Sequence, residues 1–210
     1  MLTRSQSKKE GSMAPKTISI VFDTETNGLP PRMGWDKYPL PEDYRQYDDA
    51  RMIEIAYSVY ENEVKVKDYQ SLVMPIDFSI NNEDIHGIST EDAFNQGQYI
   101  ENVLKDVYDD FKECDVLVAH NINFDIHILL AEAHRQGEEC IPLIEKIIQL
   151  KKICTMKTGC KVMKTTKWPK LVVLYKHLFD KDFDQKHRAM SDVDACAECY
   201  IHMVKNYKIE

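Results

Sequence analysis

Nothing in the 210-residue chain approaches the ~18 consecutive apolar residues that a membrane-spanning helix needs, which excludes a transmembrane segment and any membrane partner. Residues 3–13 are polar and lack the apolar stretch of a secretory leader. Without an export signal, the six cysteines are expected as reduced thiols of an intracellular compartment, cytoplasmic first, with the nucleus left open. Internal repeats and signs of a second domain are also missing. Residues 1–15 read as a flexible tail and residues 16–210 as one domain, large enough to bury a core. A basic excess is absent too: the net charge of −8 argues against a protein that simply coats nucleic acid. In one place it is acidic residues that are lacking. Residues 151–170 hold seven lysines and no Asp or Glu, a segment suited to tracking phosphates or to facing solvent.

What is present reads as alternating strands and helices. Residues 17–22, TISIVF, form a β-branched and aromatic run that predicts a buried strand ending at Asp23-Thr24-Glu25, before a turn at Asn27-Gly28. Residues 52–60 and 64–73 predict two strands joined as a hairpin through Glu61-Asn62-Glu63. Ser89 or Thr90, followed by Glu91 and Asp92, signals a helix start. Residues 99–111 carry the helical stripe Val103, Leu104, Val107, Tyr108 and Phe111. A short strand is predicted at 116–119, then a helix capped by Asn123, running to Gln136 and stopped by Gly137. Residues 141–150, 170–179 and 189–204 are helical in pattern.

Early strands, later helices and one strand–helix alternation imply an α/β layered domain with a mixed sheet. One long irregular stretch, residues 29–51, interrupts this plan with four prolines and the aromatics Trp35, Tyr38, Tyr44 and Tyr47. Loops of that length usually serve a function, and packing onto the domain's own surface is the alternative.

Four carboxylates stand out. Asp23 and Glu25 lie two apart on a strand, so both leave the same face while Thr24 points away. Side by side they repel, unless a cation lies between them. Asp125 falls in the first turn of its helix and faces inward with Ile128 and Leu129. Inward carboxylates are rare without a partner, although a helix N-terminus helps any anion there. Asp192 shares a face of the last helix with Ala189, Cys196, Cys199 and Met203, while Asp194 and Glu198 point elsewhere. His187 precedes Asp192 by five residues.

Hard oxygen ligands of this kind select Mg²⁺ or Mn²⁺ over zinc. Two such ions ~4 Å apart clamp the attacking and leaving oxygens of a phosphodiester, and a histidine titrating near neutrality can take the proton from water. The pattern therefore points to metal-assisted phosphodiester hydrolysis. Cys196, Cys199 and His202 also lie near one helix face, but structural zinc usually draws ligands from two separated elements, so core packing is expected there.

These residues resemble a known family, the DnaQ-like 3′–5′ exonucleases of the histidine (DEDDh) subtype. Its first motif is matched by Phe22-Asp23-Thr24-Glu25-Thr26-Asn27-Gly28-Leu29, and its second by His120-Asn121-Ile122-Asn123-Phe124-Asp125. The third is matched by His187-Arg188-Ala189-Met190-Ser191-Asp192. Ile53-Glu54-Ile55-Ala56 and Ile85-His86-Gly87-Ile88 resemble segments that the family carries between its first two motifs. The likeness runs over about residues 17–205 in the right order. It implies a ribonuclease-H-like fold with a central mixed five-stranded sheet flanked by helices, two-metal catalysis and release of nucleoside monophosphates from a 3′ end.

Carried over by position, the resemblance makes Asp23, Glu25, Asp125 and Asp192 the ligands of two Mg²⁺ or Mn²⁺ ions and His187 the general base. It places Thr26, Asn27, Gly28, Leu29, His86 and Asn121 against the terminal nucleotide. Arg188 stands where the tyrosine subtype would have its tyrosine. The chain departs from the simplest members in the 29–51 insertion, which would shape the substrate entrance, and in the lysine-rich 151–170 segment. Trp168 within that segment could stack on a base, although Trp168-Pro169-Lys170-Leu171 reads better as a helix entry with a packed indole.

The expected activity is thus an exonuclease on single-stranded or frayed 3′ ends, with DNA ahead of RNA. Trimming of RNA or short oligonucleotides is the near alternative. A non-catalytic binding module is disfavoured because all four acids and the histidine are present. A docking role beside a separate polymerase or other protein would suit the acidic surface and the aromatic insertion.

Overall fold

The apolar run at the start of the domain forms a buried strand, β1 (Ile18–Thr26), which continues through the Asp23-Thr24-Glu25 step instead of ending there. The reason is its partner. β2 (Met52–Glu61) pairs antiparallel with β1 along its whole length, setting Asp23 opposite Ala56 and Glu25 opposite Glu54, with a bulge only after Glu25. β3 (Val64–Leu72) closes the predicted hairpin against β2. The chain then passes through two short helices, α1 (Glu83–His86) and α2 (Thr90–Gln96). Ser89 caps α2, its Oγ accepting from the Asp92 amide at 2.9 Å.

α3 (Ile100–Phe111) buries Val103, Leu104, Val107 and Phe111, as its stripe predicts. β4 (Val116–Ala119) lies parallel to β1 on the side away from β2. α4 (Ile122–Gln136) begins two residues earlier than expected: Asn121, at φ 70°, is its cap, and Asn123 lies inside the helix. Asn123 instead donates from Nδ2 to the Asp36 carbonyl at 2.8 Å. α5 (Ile141–Gln149) follows, then β5 (Lys151–Cys154), a strand not foreseen in the sequence, parallel to β4. α6 (Thr155–Met163), α7 (Leu171–Phe179) and α8 (Ala189–Tyr207) complete the fold. The structure, a computed structural model, describes residues 16–183, 188–207 and 209.

The five strands form one mixed sheet in the order β3-β2-β1-β4-β5, flanked by helices on both faces. Alternation along β1 divides the core. Ile20 and Phe22 pack into a layer with α3, α4 and α5, whereas Val21 packs with Ala189, Val193 and Cys196 of α8. Cys196 and Cys199 are buried in that second layer, and the His202 ring packs on Phe179 with centroids 5.0 Å apart. Among the described residues no helix is long and apolar enough to cross a membrane.

The 29–51 segment is a folded appendage with clamped ends. The Asn27 amide donates to the Arg51 carbonyl at 3.1 Å, and the Arg51 amide donates to Asn27 Oδ1 at 3.0 Å. Inside it, a 3₁₀ turn at Tyr44–Tyr47 packs on α4, and the buried Tyr47 hydroxyl donates to the Pro39 carbonyl at 2.6 Å. Arg51 reaches back to the buried Glu132 of α4 at 2.8 Å. The lysine-rich segment is likewise no single surface: it runs through β5, α6 and the turn before α7.

Candidate active site

The site lies where β1 and β4, parallel neighbours, both end, a position that open α/β sheets favour because the following loops diverge there. Alternation sends Asp23 and Glu25 to the α8 side of the sheet. They meet Asp192 of α8's first turn there: one carboxylate oxygen from each of the three lies within 4.8 Å of the others. Thr24 points to the opposite face, and it contacts Asp125. The Asp125 Oδ1, in the first turn of α4, accepts from the Thr24 amide at 3.1 Å and from its hydroxyl at 2.9 Å. The residue between the two strand carboxylates therefore anchors the fourth, Asp125.

These carboxyls raise one another's proton affinity. Burial and then the charges of Asp125, Glu25, Asp192 and Glu54 hold Asp23 well above the usual carboxylate range. Glu25 is pushed up to about 8, by burial first and then by Asp192, Glu54 and Asp125, with Arg188 opposing. Burial raises Asp125 to about 7 against the lowering effect of the two bonds from Thr24. Clustered carboxyls that hold protons this tightly form a site that a cation would relieve. Their all-oxygen donor set fits a hard divalent ion.

Beside the cluster, the fully buried Glu54 of β2 faces Glu25 across the strand pair. Its Oε1 accepts from Arg188 Nη2 at 2.7 Å and from Gln70 Nε2 at 2.8 Å, while Oε2 accepts from the Ala189 amide at 3.1 Å. Glu54 thus caps α8 and seats Arg188, fixing the helix that carries Asp192. His187, the expected general base, lies outside the described residues.

The residues after Glu25 form a tight turn. The Thr26 hydroxyl donates to the Gly28 carbonyl at 2.6 Å, and Leu29 is exposed. A Cβ at Gly28 would stand 2.2 Å from the Asp49 carbonyl oxygen, so only glycine fits. Asn27 is buried, bonded through Nδ2 to the Ser79 carbonyl at 3.3 Å. His86 is also buried: Nδ1 accepts from the Ile88 amide at 3.1 Å, which leaves Nε2 to donate to the Asn81 carbonyl at 2.9 Å. Both of its ring nitrogens are therefore engaged within its own loop.

A cleft of about 430 Å³ opens onto the cluster, lined by Asp23, Asp192, His120, Met156, Trp168 and Leu171 among others. Sequence reasoning gave no role to His120. Burial drops it to about 4, so it is neutral. Its Nε2 donates to the Pro169 carbonyl at 3.0 Å and its Nδ1 faces the Thr155 hydroxyl at 3.0 Å, tying the Trp168-Pro169 turn to the end of β4. A smaller cavity of about 220 Å³ lies beyond, where Asn121, Trp35 and Tyr38 join Trp168 and Met156. A larger groove of about 590 Å³ between α4, α5 and β5 carries none of the four carboxylates.

The exonuclease family of the RNase T type matches residues 20–200, nearly all of the domain. The chain belongs to that family. This agrees with the DnaQ-like resemblance of the three motifs, and the family's dependence on divalent metal agrees with the acidic cluster.

Solved exonucleases share the family fold. A structure of exonuclease I superposes with a TM-score of 0.69 at 15% identity, over 90% of this chain and 41% of that one. Exonuclease X in complex with 5′-overhanging duplex DNA gives 0.61 at 22% identity, covering 91% of this chain and 94% of that one. The zinc-bound complex of E. coli exonuclease I with single-stranded DNA gives 0.70 at 15% identity, covering 91% and 41%. The chain thus spans about two fifths of the exonuclease I structures it matches. No curated protein sequence matches the chain.

Proposed function

We propose that this exonuclease hydrolyses phosphodiester bonds from the 3′ ends of nucleic acid, releasing nucleoside 5′-monophosphates, with single-stranded or frayed DNA preferred over RNA. The observation that carries this reading is the convergence of Asp23, Glu25 and Asp192 within 4.8 Å, with Asp125 anchored beside them by Thr24. Residues 16–210 act as the catalytic domain. Asp23, Glu25, Asp125 and Asp192 hold two Mg²⁺ or Mn²⁺ ions. When bound, such ions stabilise the charge that develops on the attacking and leaving oxygens.

The rest falls to the chain itself. His187 takes the proton of the attacking water, a role that suits an imidazole near neutral pH. Glu54 and Arg188 keep the start of α8 in place. The turn from Thr26 to Leu29, with Asn121 at the cap of α4, receives the terminal nucleotide, and His86 supports that turn by ordering the loop bonded to Asn27. The solved relatives bound to DNA support DNA as substrate, and the six free cysteines support a reducing compartment.

The test is a paired digestion of 5′-labelled DNA and RNA oligonucleotides, with free or blocked 3′ ends, in Mg²⁺ or Mn²⁺. A ladder shortening from the free 3′ end, absent for Asp125→Asn, is expected. Equal cleavage of blocked ends would overturn the polarity, and no cleavage with intact binding would leave a non-catalytic module.

A further inference from the structure

Trp35 is the most solvent-exposed large apolar side chain among the described residues, 74% accessible. It stands at the tip of a two-residue hairpin within the insertion. Gly34 and Lys37 form an antiparallel bridge, and the Met33 amide donates to the Lys37 carbonyl at 2.8 Å. Asp36, beside Trp35 in the tip, adopts φ 53°. Its carbonyl accepts from Asn123 and its carboxylate pairs with Lys157 at 2.6 Å. Two contacts thus dock the hairpin on α4 and α6 and leave one face of the indole in water. Leaving so much apolar surface exposed is unfavourable, and nothing in the hairpin's own packing requires a tryptophan there.

The other face of Trp35 lies on Trp168, with ring centroids 4.7 Å apart and planes tilted by 40°. Trp168 lines both the carboxylate cleft and the smaller cavity under the insertion, so it is the wall that joins them. Its turn is pinned to the end of β4 by the His120–Pro169 hydrogen bond. Lys157 Nζ lies 5.8 Å from the Trp168 ring centroid, and the exposed Lys170 and Arg32 border the two cavities. A flat apolar surface bordered by cations, leading away from a carboxylate centre, matches the chemistry of an unpaired nucleic-acid strand, whose bases offer π faces and whose phosphates seek positive charge.

We infer that Trp35, backed by Trp168, is a stacking subsite for an unpaired nucleobase upstream of the 3′ terminus. This rests on the nuclease reading above and deepens it: the strand must be unpaired where it crosses the insertion, because a base held in a duplex cannot offer its face to the indole. The substrate class is therefore a single-stranded 3′ tail longer than the nucleotide being removed. Stacking reads no hydrogen-bonding edge, so the subsite selects for single-strandedness and against gaps in the base series, and not for sequence.

The test uses the full chain and a 5′-labelled single-stranded oligodeoxynucleotide, with binding measured in EDTA and digestion in Mg²⁺. Trp35 and Trp168 are the chain's two tryptophans, so Trp168→Phe leaves fluorescence from Trp35 alone. Addition of the oligonucleotide is expected to quench that emission saturably. Trp35→Ala should raise the dissociation constant and KM together by about fivefold or more, Trp35→Phe should recover most of the loss, and one abasic nucleotide at a defined distance from the 3′ end should reproduce it in the wild type.

If wild type digests the strand but Trp35→Ala matches it in KM and no abasic position matters, the subsite is wrong while the nuclease reading stands. Loss of a protein complex by Trp35→Ala with unchanged KM would likewise overturn it, making the hairpin a protein contact. If wild type neither binds nor digests any strand, the nuclease reading fails and takes the subsite with it.

Discussion

Glu54 and Arg188, 134 residues apart in sequence, form a two-point ion pair: Oε1 to Nη2 at 2.7 Å and Oε2 to Nε at 3.3 Å. Glu54 is fully buried and Arg188 is partly exposed. The pair cancels a charge that would otherwise face Glu25 across the strand pair, where like charges are unfavourable. It also welds the central sheet to the first turn of α8. Glu54→Gln keeps the shape but loses the charge that holds Arg188. It should lower Tm by a few degrees, since Arg188 loses its counter-charge, an effect that water around the half-exposed guanidinium weakens. Turnover should fall as well, because Asp192 rides on the helix thus loosened. A Tm within a degree of wild type would show that the pair contributes nothing.

The second prediction concerns the Thr24–Asp125 contact. Thr24→Val removes the hydroxyl donor at 2.9 Å and leaves the amide donor at 3.1 Å. A lost hydrogen bond to a charged acceptor is worth ~1.5–3 kcal/mol, the upper end requiring full burial of both groups, as here. The variant should need more Mg²⁺ for half-maximal digestion while its rate at saturating Mg²⁺ falls less. Asp125→Asn should abolish turnover at any Mg²⁺ concentration and leave the circular dichroism unchanged. Unaltered Mg²⁺ dependence in Thr24→Val would show that Asp125 needs no such anchor.

Much of this site was legible from residue order alone, and the reasons are local. The i, i+2 spacing of Asp23 and Glu25 forces them onto one face of a strand, and helical periodicity turns Asp125 and Asp192 inward. What escaped was decided by pairing at a distance. β5 reads as the start of a lysine-rich run because an edge strand of four residues, two of them exposed lysines, has too little apolar pattern to show. Asn123 looks like a cap by type, yet the left-handed backbone of Asn121 starts the helix earlier and frees Asn123 to hold Asp36. Trp168 was expected to pack, and it does so partly against Trp35, a contact across 133 residues that no window of sequence displays. Glu54 and His120 stood inside recognisable motifs, but their partners, Arg188 and Pro169, could not be read from those motifs.

A third prediction follows from the raised carboxyls. Glu25 titrates at about 8 in the folded metal-free protein, well above its ordinary value of 4.5, and Asp125 at about 7 against 3.8. The folded state therefore holds protons that the unfolded chain has released. Their contribution to stability is full below about pH 4 and is lost as the pH rises through 7 to 8, so the metal-free protein should be less stable at pH 8.5 than at pH 5. Mg²⁺ should reverse this trend, since a cation favours the ionised carboxyls. The measurement is Tm against pH in EDTA and in Mg²⁺. A metal-induced rise that grows from pH 5.5 to 8.5 is expected, and a rise independent of pH would contradict the shifts.

The last prediction separates the lysines by position. Lys157 is committed to Asp36, and the Lys152 Nζ donates to the Ile148 and Leu150 carbonyls at 3.0 and 2.8 Å, so neither is free to follow a phosphate without breaking a contact. Lys170 is exposed and lines the carboxylate cleft beside Trp168. Lys151, in contrast, is exposed on β5 and lines neither the cleft nor the Trp35 cavity. If phosphates pass along the cleft, Lys170→Ala should raise KM several-fold at low salt and reduce the slope of log KM against log salt by about one, the signature of one lost phosphate contact. Lys151→Ala should leave both unchanged. Equal effects from the two substitutions would mean that the segment acts through its summed charge, and no effect from either would make its lysines a solvated surface.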